Sequence, residues 1–343
     1  MNVFQNIIGN EELCARLALN IRENSLSHAY IIEGPDGCGK HTLARELAAA
    51  LGCENRGDSA APLPCGVCKS CRMILGEKSA DVITVRREAG KAQLGVDIIR
   101  DLKNDVRLLP NDLDIKVYII EDAHTMNIQA QNAFLLTLEE PPAFVVFFLL
   151  CTSSALLLET IKSRAQTLRL RPLSDRVLGE ELIKRNDEAS ELYRSSKSEF
   201  EEMIKLPGGC MGRALQLLDI NKRTPKLAAR HLVKDLIYAL SMRKSGRRSI
   251  DLINYFSKNR EELSAELADI QNAARDLLAV KKCEGAPLCF FTSEDEAAEI
   301  SFKFKTADLV SLIESADAAR SRLAANSNIR LTVYSFAIDC KLL

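Results

Sequence analysis

Residues 29–51 read AYIIEGPDGCGKHTLARELAAAL, and this stretch decides the fold. Ala29 to Ile32 is a short apolar strand running straight into a glycine loop that ends at Lys40. The Ala-, Leu-, Glu- and Arg-rich run from Thr42 to Leu51 reads as the helix that follows. Strand, loop, helix is the order phosphate binding needs, because the first amides of the helix point at the anion. Gly34, Gly37 and Gly39 let the backbone curl around phosphate oxygens, and Lys40 has the reach for the outer phosphates. ATP or ADP is the nucleotide such a loop would take; the alternative is a glycine turn without ligand. The usual pattern places a serine or threonine after the lysine to hold Mg2+. Here that position is His41, an imidazole that suits magnesium poorly, and Thr42 stands one residue late, about 100° round the helix. Metal-assisted hydrolysis is therefore disfavoured.

Outward from the loop, strands and helices alternate. Glu11 to Asn24 carries Leu13, Leu17 and Ile21 at helical spacing. Asp81 to Val85 is a β-branched strand, and Val96 to Val106 sets Ile98, Ile99, Leu102 and Val106 along a helix. Lys116 to Ile120 is a buried strand ending in Glu121-Asp122. Asn127 caps a helix that runs to Glu140 and stops at Pro141-Pro142, and Phe144 to Leu150 is a last buried strand closing at Cys151-Thr152. This alternation predicts an α/β domain with a parallel sheet over 1–172. Beyond Leu173 the β signal fades. Helices over Val177–Arg185 and Glu199–Leu206 flank Pro207-Gly208-Gly209 and predict a small helical domain over 173–224. The remainder, 225–343, is expected to be all-α, with helices over Leu232–Leu240, Ile250–Phe256, Glu261–Leu278 and Asp308–Ala325 and a loop at Cys283–Glu294.

Inside the first domain, Cys53, Cys65, Cys68 and Cys71 are spaced C-x11-C-x2-C-x2-C. Each x2 turn presents two thiolates to one ion, so the set can hold a tetrahedral zinc with no position left for water. Such a site is structural and would fold an insert over about 52–75. The other seven cysteines lie among apolar neighbours and read as small buried hydrophobes. Glu121-Asp122 is placed like the acidic pair that holds the metal-bound water and activates the attacking water in phosphate-loop enzymes, but in reversed order. An aspartate in the place of the base is one methylene short. The alternative is a solvated acidic strand end.

The 343 residues have a net charge of -1 and are 27% charged and 47% hydrophobic, which describes a soluble globular chain. Any nucleic-acid contact must then be local or shared with partners. With 5% aromatics and no tryptophan, base stacking is not expected. No leader pattern opens the chain, and the longest apolar run, Ala143 to Cys151, is too short to span a bilayer, so a cytoplasmic location is expected. No second carboxylate constellation suits a two-metal polymerase or nuclease site.

The order of motifs resembles the AAA+ clamp-loader subunits of bacterial DNA polymerase III, in which a four-cysteine zinc module follows the phosphate-loop helix. Matching pieces include Phe4-x2-Ile-Ile-Gly9, Ser27-His-Ala-Tyr30 and Gln131-Asn-Ala-Phe-Leu-Leu-Thr-Leu-Glu-Glu-Pro-Pro142. Further on come Thr152 at the sensor-1 place, Ser163-Arg164-Ala165 at the Ser-Arg-Cys place, and Asn326-Ser-Asn-Ile-Arg-Leu331. The resemblance implies an AAA+ domain, a helical lid and an all-α collar that joins subunits into a five-membered ring. Its implied partners are gamma/tau and delta subunits, the sliding clamp, and primer-template DNA reached through the assembled complex. In this family the Ser-Arg-Cys arginine is offered to the nucleotide of a neighbouring subunit, which assigns Arg164 as a finger acting in trans.

Two zinc-bearing subunit types compete within the family. Three departures from the ATP-hydrolysing gamma/tau motor favour the delta-prime type, whose own ATPase is weak or absent: His41, the inverted acidic pair, and Gly212 in Gly209-Cys-Met-Gly-Arg-Ala-Leu215 where the motor carries its sensor-2 arginine. Arg213 lies one residue further on. The end at Leu343 also leaves no room for the long tail of a tau form. The alternatives are a gamma/tau motor and, from another class, a zinc-stapled AAA+ scaffold without nucleotide-linked function.

Overall fold

The apolar runs form one five-stranded parallel sheet of β1 (Ala29–Glu33), β2 (Val82–Val85), β3 (Lys116–Ile120), β4 (Val145–Cys151) and β5 (Gln166–Arg169), in the order β2-β3-β4-β1-β5. The computed structural model describes residues 3–340 except 59, 89, 92, 243–255, 257, 258 and 284, and the chain separates into two compact units. The first comprises Met1–Ser174 with Gly209–Arg213, the second Asp175–Gly208 with Ala214–Leu343.

In the first unit, strand side chains alternate between two cores. Tyr30, Ile32, Val117, Ile119, Phe148 and Leu150 face one side, where they meet Leu17 and Ile21 of α1 (Glu11–Arg22) and Leu43 and Leu47 of α2 (Lys40–Leu51). Their neighbours Ala29, Ile31, Tyr118, Ile120, Phe147 and Leu149 face the other. There α4 (Val96–Asp105) contributes Ile99 and Leu102, and α5 (Ile128–Glu139) contributes Phe134 and Leu138. A sheet covered on both faces explains why these strands read as continuous apolar runs. Between α2 and β2, the cysteine insert contains α3 (Lys69–Leu75), begun by Cys68 as its cap. Leu63, Cys53, Cys71 and Ile74 of the insert belong to the same core as Phe4, whose amide donates to Leu63 O at 2.8 Å.

Asp81 is fully buried and closes the β2 side of the unit. Its carboxylate accepts from the amides of Asn111 (2.7 Å), Asp112 (2.8 Å) and Leu113 (2.9 Å) and from the Asn111 side chain (3.1 Å). Burial alone would push its acidity down, but these donors outweigh it and hold the carboxyl below its usual range.

β5 has no counterpart among the expected strands. It follows α6 (Glu159–Lys162), and its only buried residue is Leu168, so no run of apolar residues announces it. Segment 209–213 returns to the first unit through Leu173 N and Gly209 O, 2.9 Å apart. Gly209 has φ +76, and a Cβ there would meet Leu173 O at 2.2 Å, so only glycine fits.

The second unit is helical: α7 (Asp175–Arg185), α8 (Asp187–Ser195), α9 (Lys197–Lys205), the second half of α10 (Met211–Gln216), α11 (Ile220–Ser241), α12 (Arg260–Lys282), α13 (Glu294–Phe302), α14 (Thr306–Ala324) and α15 (Ile329–Asp339). Its main core joins Val233, Leu236 and Ile237 of α11 to Leu267, Ile270 and Leu277 of α12. Ala273 and Ala274 of α12 and Ala316 and Ala319 of α14 are fully buried, and small residues let two helices approach closely. α11 runs unbroken through Pro225, where the sequence suggests a boundary. The helix expected over Ile250–Phe256 lies outside the described residues apart from Phe256, which is buried in this core. The expected loop after Cys283 is present. The buried Asp276 carboxylate accepts the amides of Cys289, Phe290 and Phe291 at 3.0, 2.6 and 3.1 Å, while buried Arg230 donates to the carbonyls of Cys289 and Phe290.

Candidate functional site

The carboxyl ends of β1, β3 and β4 bring most of the expected site residues to one edge of the sheet, the place where open parallel sheets bind ligands. Gly34 leaves β1 with its amide on Cys151 O at 3.1 Å, next to half-buried Thr152. Gly37 and Gly39 take φ of 78 and 99, left-handed values that suit glycine. Lys40, at the start of α2, turns back into its own loop. Its ammonium donates to Gly34 O (2.7 Å), Pro35 O (3.0 Å) and Asp36 Oδ1 (3.2 Å), which uses all three of its hydrogens. Across the loop lies segment 209–213. Gly212 N donates to Gly37 O at 2.9 Å, and a Cβ on Gly212 would approach Gly37 Cα and O to 3.0 and 3.1 Å. Thr42 is exposed on α2, and Arg213 is exposed with its backbone against Gly37.

The acidic pair is engaged by arginines that the sequence reading did not single out. Arg86 meets Glu121 with two parallel bonds, Nε to Oε2 at 2.9 Å and Nη2 to Oε1 at 3.1 Å, and Arg87 Nη2 meets Asp122 Oδ2 at 2.9 Å. Bidentate guanidinium–carboxylate pairs of this kind are strong and directional. β2 pairs with β3 so that Val85 stands opposite Ile120, and the chain continues side by side into Arg86-Arg87 and Glu121-Asp122. Complementary charges after two strands are thus the signal, readable only once the strands are known to be neighbours.

His41 sits on the same carboxylate from the other side, Nε2 lying 3.2 Å from Glu121 Oε1 without hydrogen-bond alignment, and its Nδ1 is 3.1 Å from Arg45. Burial and then the Arg45 charge push the imidazole below its ordinary range, outweighing Glu121, so the ring is held neutral. Beside His41 and Arg45 opens a cavity of about 150 Å³, lined also by Glu77, Ser79, Thr84 and Arg86.

Arg164 belongs to a different place. It follows α6, and its Nη1 donates to Thr160 O (2.9 Å) and Ser163 Oγ (3.2 Å) while Nη2 donates to Glu139 Oε1 at 2.8 Å, at the carboxyl end of α5. The side chain remains 35% exposed.

Cys53, Cys65, Cys68 and Cys71 converge, each Sγ within 4.8 Å of the other three, with Cys65 and Cys71 Sγ 3.9 Å apart. Four thiolates at 2.3 Å around a tetrahedral zinc lie about 3.8 Å from one another, so the set fits that ion. The amides of Cys68 and Cys71 already donate to Cys65 and Cys68 Sγ at 3.4 Å each, as thiolates require. Burial pushes the Cys53 and Cys71 thiols up. At Cys65 the amides of Cys68 and Val67 and the neighbouring thiols overcome burial and bring it down to about 6. A metal there would supply cross-linking of the insert and no open position for chemistry.

Fold and site together define a parallel-sheet domain with a phosphate-loop turn, an arginine-engaged acidic pair and a cluster of four cysteines that could hold a metal. Residues 9–174, just under half of the chain, match the family described as "DNA polymerase III, delta subunit". The chain is 33% identical over 218 residues to the DNA polymerase III subunit tau of Bacillus subtilis, covering 63% of this chain and 37% of that one. It is 27% identical over 276 residues to the subunit tau/gamma of Haemophilus influenzae, covering 80% and 38%. It thus spans well under half the length of these relatives. Among solved structures, a gamma subunit-related protein from Thermotoga maritima aligns over 95% of this chain and 99% of its own at 20% identity and a TM-score of 0.43. Among the described residues, no helix is long and apolar enough to cross a membrane.

Proposed function

We propose that this chain is a delta-prime-type subunit of a DNA polymerase III clamp loader. In this reading it assists ATP-driven loading of the sliding clamp onto primed DNA, together with gamma/tau-type and delta-type subunits. It lends Arg164 to the nucleotide of a neighbouring motor, with Glu139 and Thr160 fixing the guanidinium, and does not itself hydrolyse ATP. The observation that carries the reading is the engagement of the acidic pair: Glu121 is held by Arg86 in two bonds and Asp122 by Arg87. A carboxylate so paired has acceptor positions taken by a guanidinium and is not free to orient a metal-bound or attacking water. The close contact of Gly212 with Gly37 supports the same conclusion. The lid over 173–224, the collar over 225–343, zinc at the four cysteines, and residual ATP or ADP contacts by Gly34, Gly37, Gly39, Lys40, Thr42 and Thr152 are parts of the proposal.

A second reading is favoured by the relatives, which are named tau and tau/gamma: an ATP-hydrolysing motor of the same complex. One experiment separates the two. ATP turnover is measured for the isolated chain and for a loader reconstituted with its companion subunits, clamp and primed DNA, with the native chain and with Arg164→Ala. The delta-prime reading expects no turnover by the chain alone and a clear drop in the assembled loader on loss of Arg164. Hydrolysis by the isolated chain would establish the motor instead.

A further inference from the structure

The end of α5 breaks a local rule. Its last residue is Glu139, Glu140 follows as the cap, and no basic residue stands in the last turn, although a helix carboxyl end disfavours negative charge. Broken local rules of this kind concentrate at functional sites. The guanidinium of Arg164 answers the excess. It sits between the Glu139 carboxylate at 2.8 Å and Thr160 O at 2.9 Å, a carbonyl of the single turn α6. These contacts and Ser163 Oγ use three of its five N–H groups, and the other two have no partner among the described residues.

We infer that Glu139 is the positioning residue of Arg164: it fixes the guanidinium plane so that the remaining donors point outward, ready for the phosphate of a nucleotide held by another subunit. This deepens the proposed function and rests on it. An arginine left to its own rotamers must be ordered each time it meets its target, whereas a planar fork anchored on one edge is already oriented. Glu139 touches no nucleotide in this arrangement and acts only through Arg164.

The test is a double-mutant cycle in the reconstituted loader, with clamp and primed DNA present. ATP turnover and its KM are measured for native chain, Glu139→Ala, Glu139→Gln, Arg164→Ala and the double variant, assembly being checked by size-exclusion chromatography. The expected result for Glu139→Ala is a kcat lower by roughly tenfold with KM for ATP little changed, since Thr160 O still holds one edge of the fork. Glu139→Gln, which keeps an accepting oxygen, should recover part of the loss. In the Arg164→Ala background, removing Glu139 should change nothing further. An equal loss in both backgrounds would make Glu139 merely structural and overturn the inference, as would unchanged or raised turnover for Glu139→Ala while Arg164→Ala lowers it. If Arg164→Ala itself has no effect, the finger reading falls and this inference falls with it, a result distinct from the others.

Discussion

Replacing Gly212 by alanine tests the contact that closes the phosphate loop, because two effects of opposite sign meet at one atom. Gly212 is the second residue of α10, where exchanging glycine for alanine ordinarily stabilises by about 0.5–1 kcal/mol. Here the new Cβ would stand 3.0 Å from Gly37 Cα and 3.1 Å from Gly37 O, both backbone atoms of a loop already fixed by the Gly212–Gly37 hydrogen bond. Overpacking against rigid neighbours costs about 1–3 kcal/mol. The net expectation is a loss of about 1 kcal/mol, or about 2–4 °C in the melting temperature of a unit of this size. Differential scanning calorimetry, which separates transitions of different units, is the assay. A variant more stable than the native chain would refute the contact and reopen the loop to a side chain at 212. The same clash predicts that Gly212→Arg, which restores the motor's arginine, does not confer ATP hydrolysis.

Three further outcomes are expected. The purified chain should carry one equivalent of zinc by elemental analysis, and Cys68→Ser should lose the metal and lower the melting temperature of the first unit, because the insert shares its core with Phe4 and Leu63. Asp81→Asn turns a donor toward the amides of residues 111–113 and should cost about 2–3 kcal/mol at neutral pH. Since the folded carboxyl titrates below its unfolded value of about 3.9, this contribution is complete above that pH and fades as pH falls through the folded value, so the native and Asn variants should converge in acid. Arg230→Ala leaves the Cys289 and Phe290 carbonyls and Asp269, 3.6 Å from the guanidinium, without their cation, and should cost about 3 kcal/mol in the second unit, read by calorimetry with the first unit's transition unmoved.

The parts of the fold legible in the sequence are those whose signal is local. β1, its loop and α2 are contiguous, and the cysteines of the insert announce themselves by spacing. β5 was illegible because an edge strand with one buried side chain has no periodicity to read. In the second unit α8 carries Ala189, Leu192 and Tyr193 at helical spacing, but its nine residues are too few for the period to stand out. The acidic pair was visible but its state was not. Whether Glu121 is free depends on which strand lies beside β3, a fact about chain order in space. Arg164 was visible as a motif, while Glu139, 25 positions earlier, becomes its partner only where two helix ends meet.

β5 also has a consequence for how such chains can associate. It forms one border of the sheet, four residues long, with Gln166 and Arg169 exposed and Thr167 half-buried. A border this short and polar offers another backbone few hydrogen-bonding sites and no apolar strip to lie along. Sheet continuation from one molecule to the next is therefore discouraged on this side, which guards against runaway fibre growth.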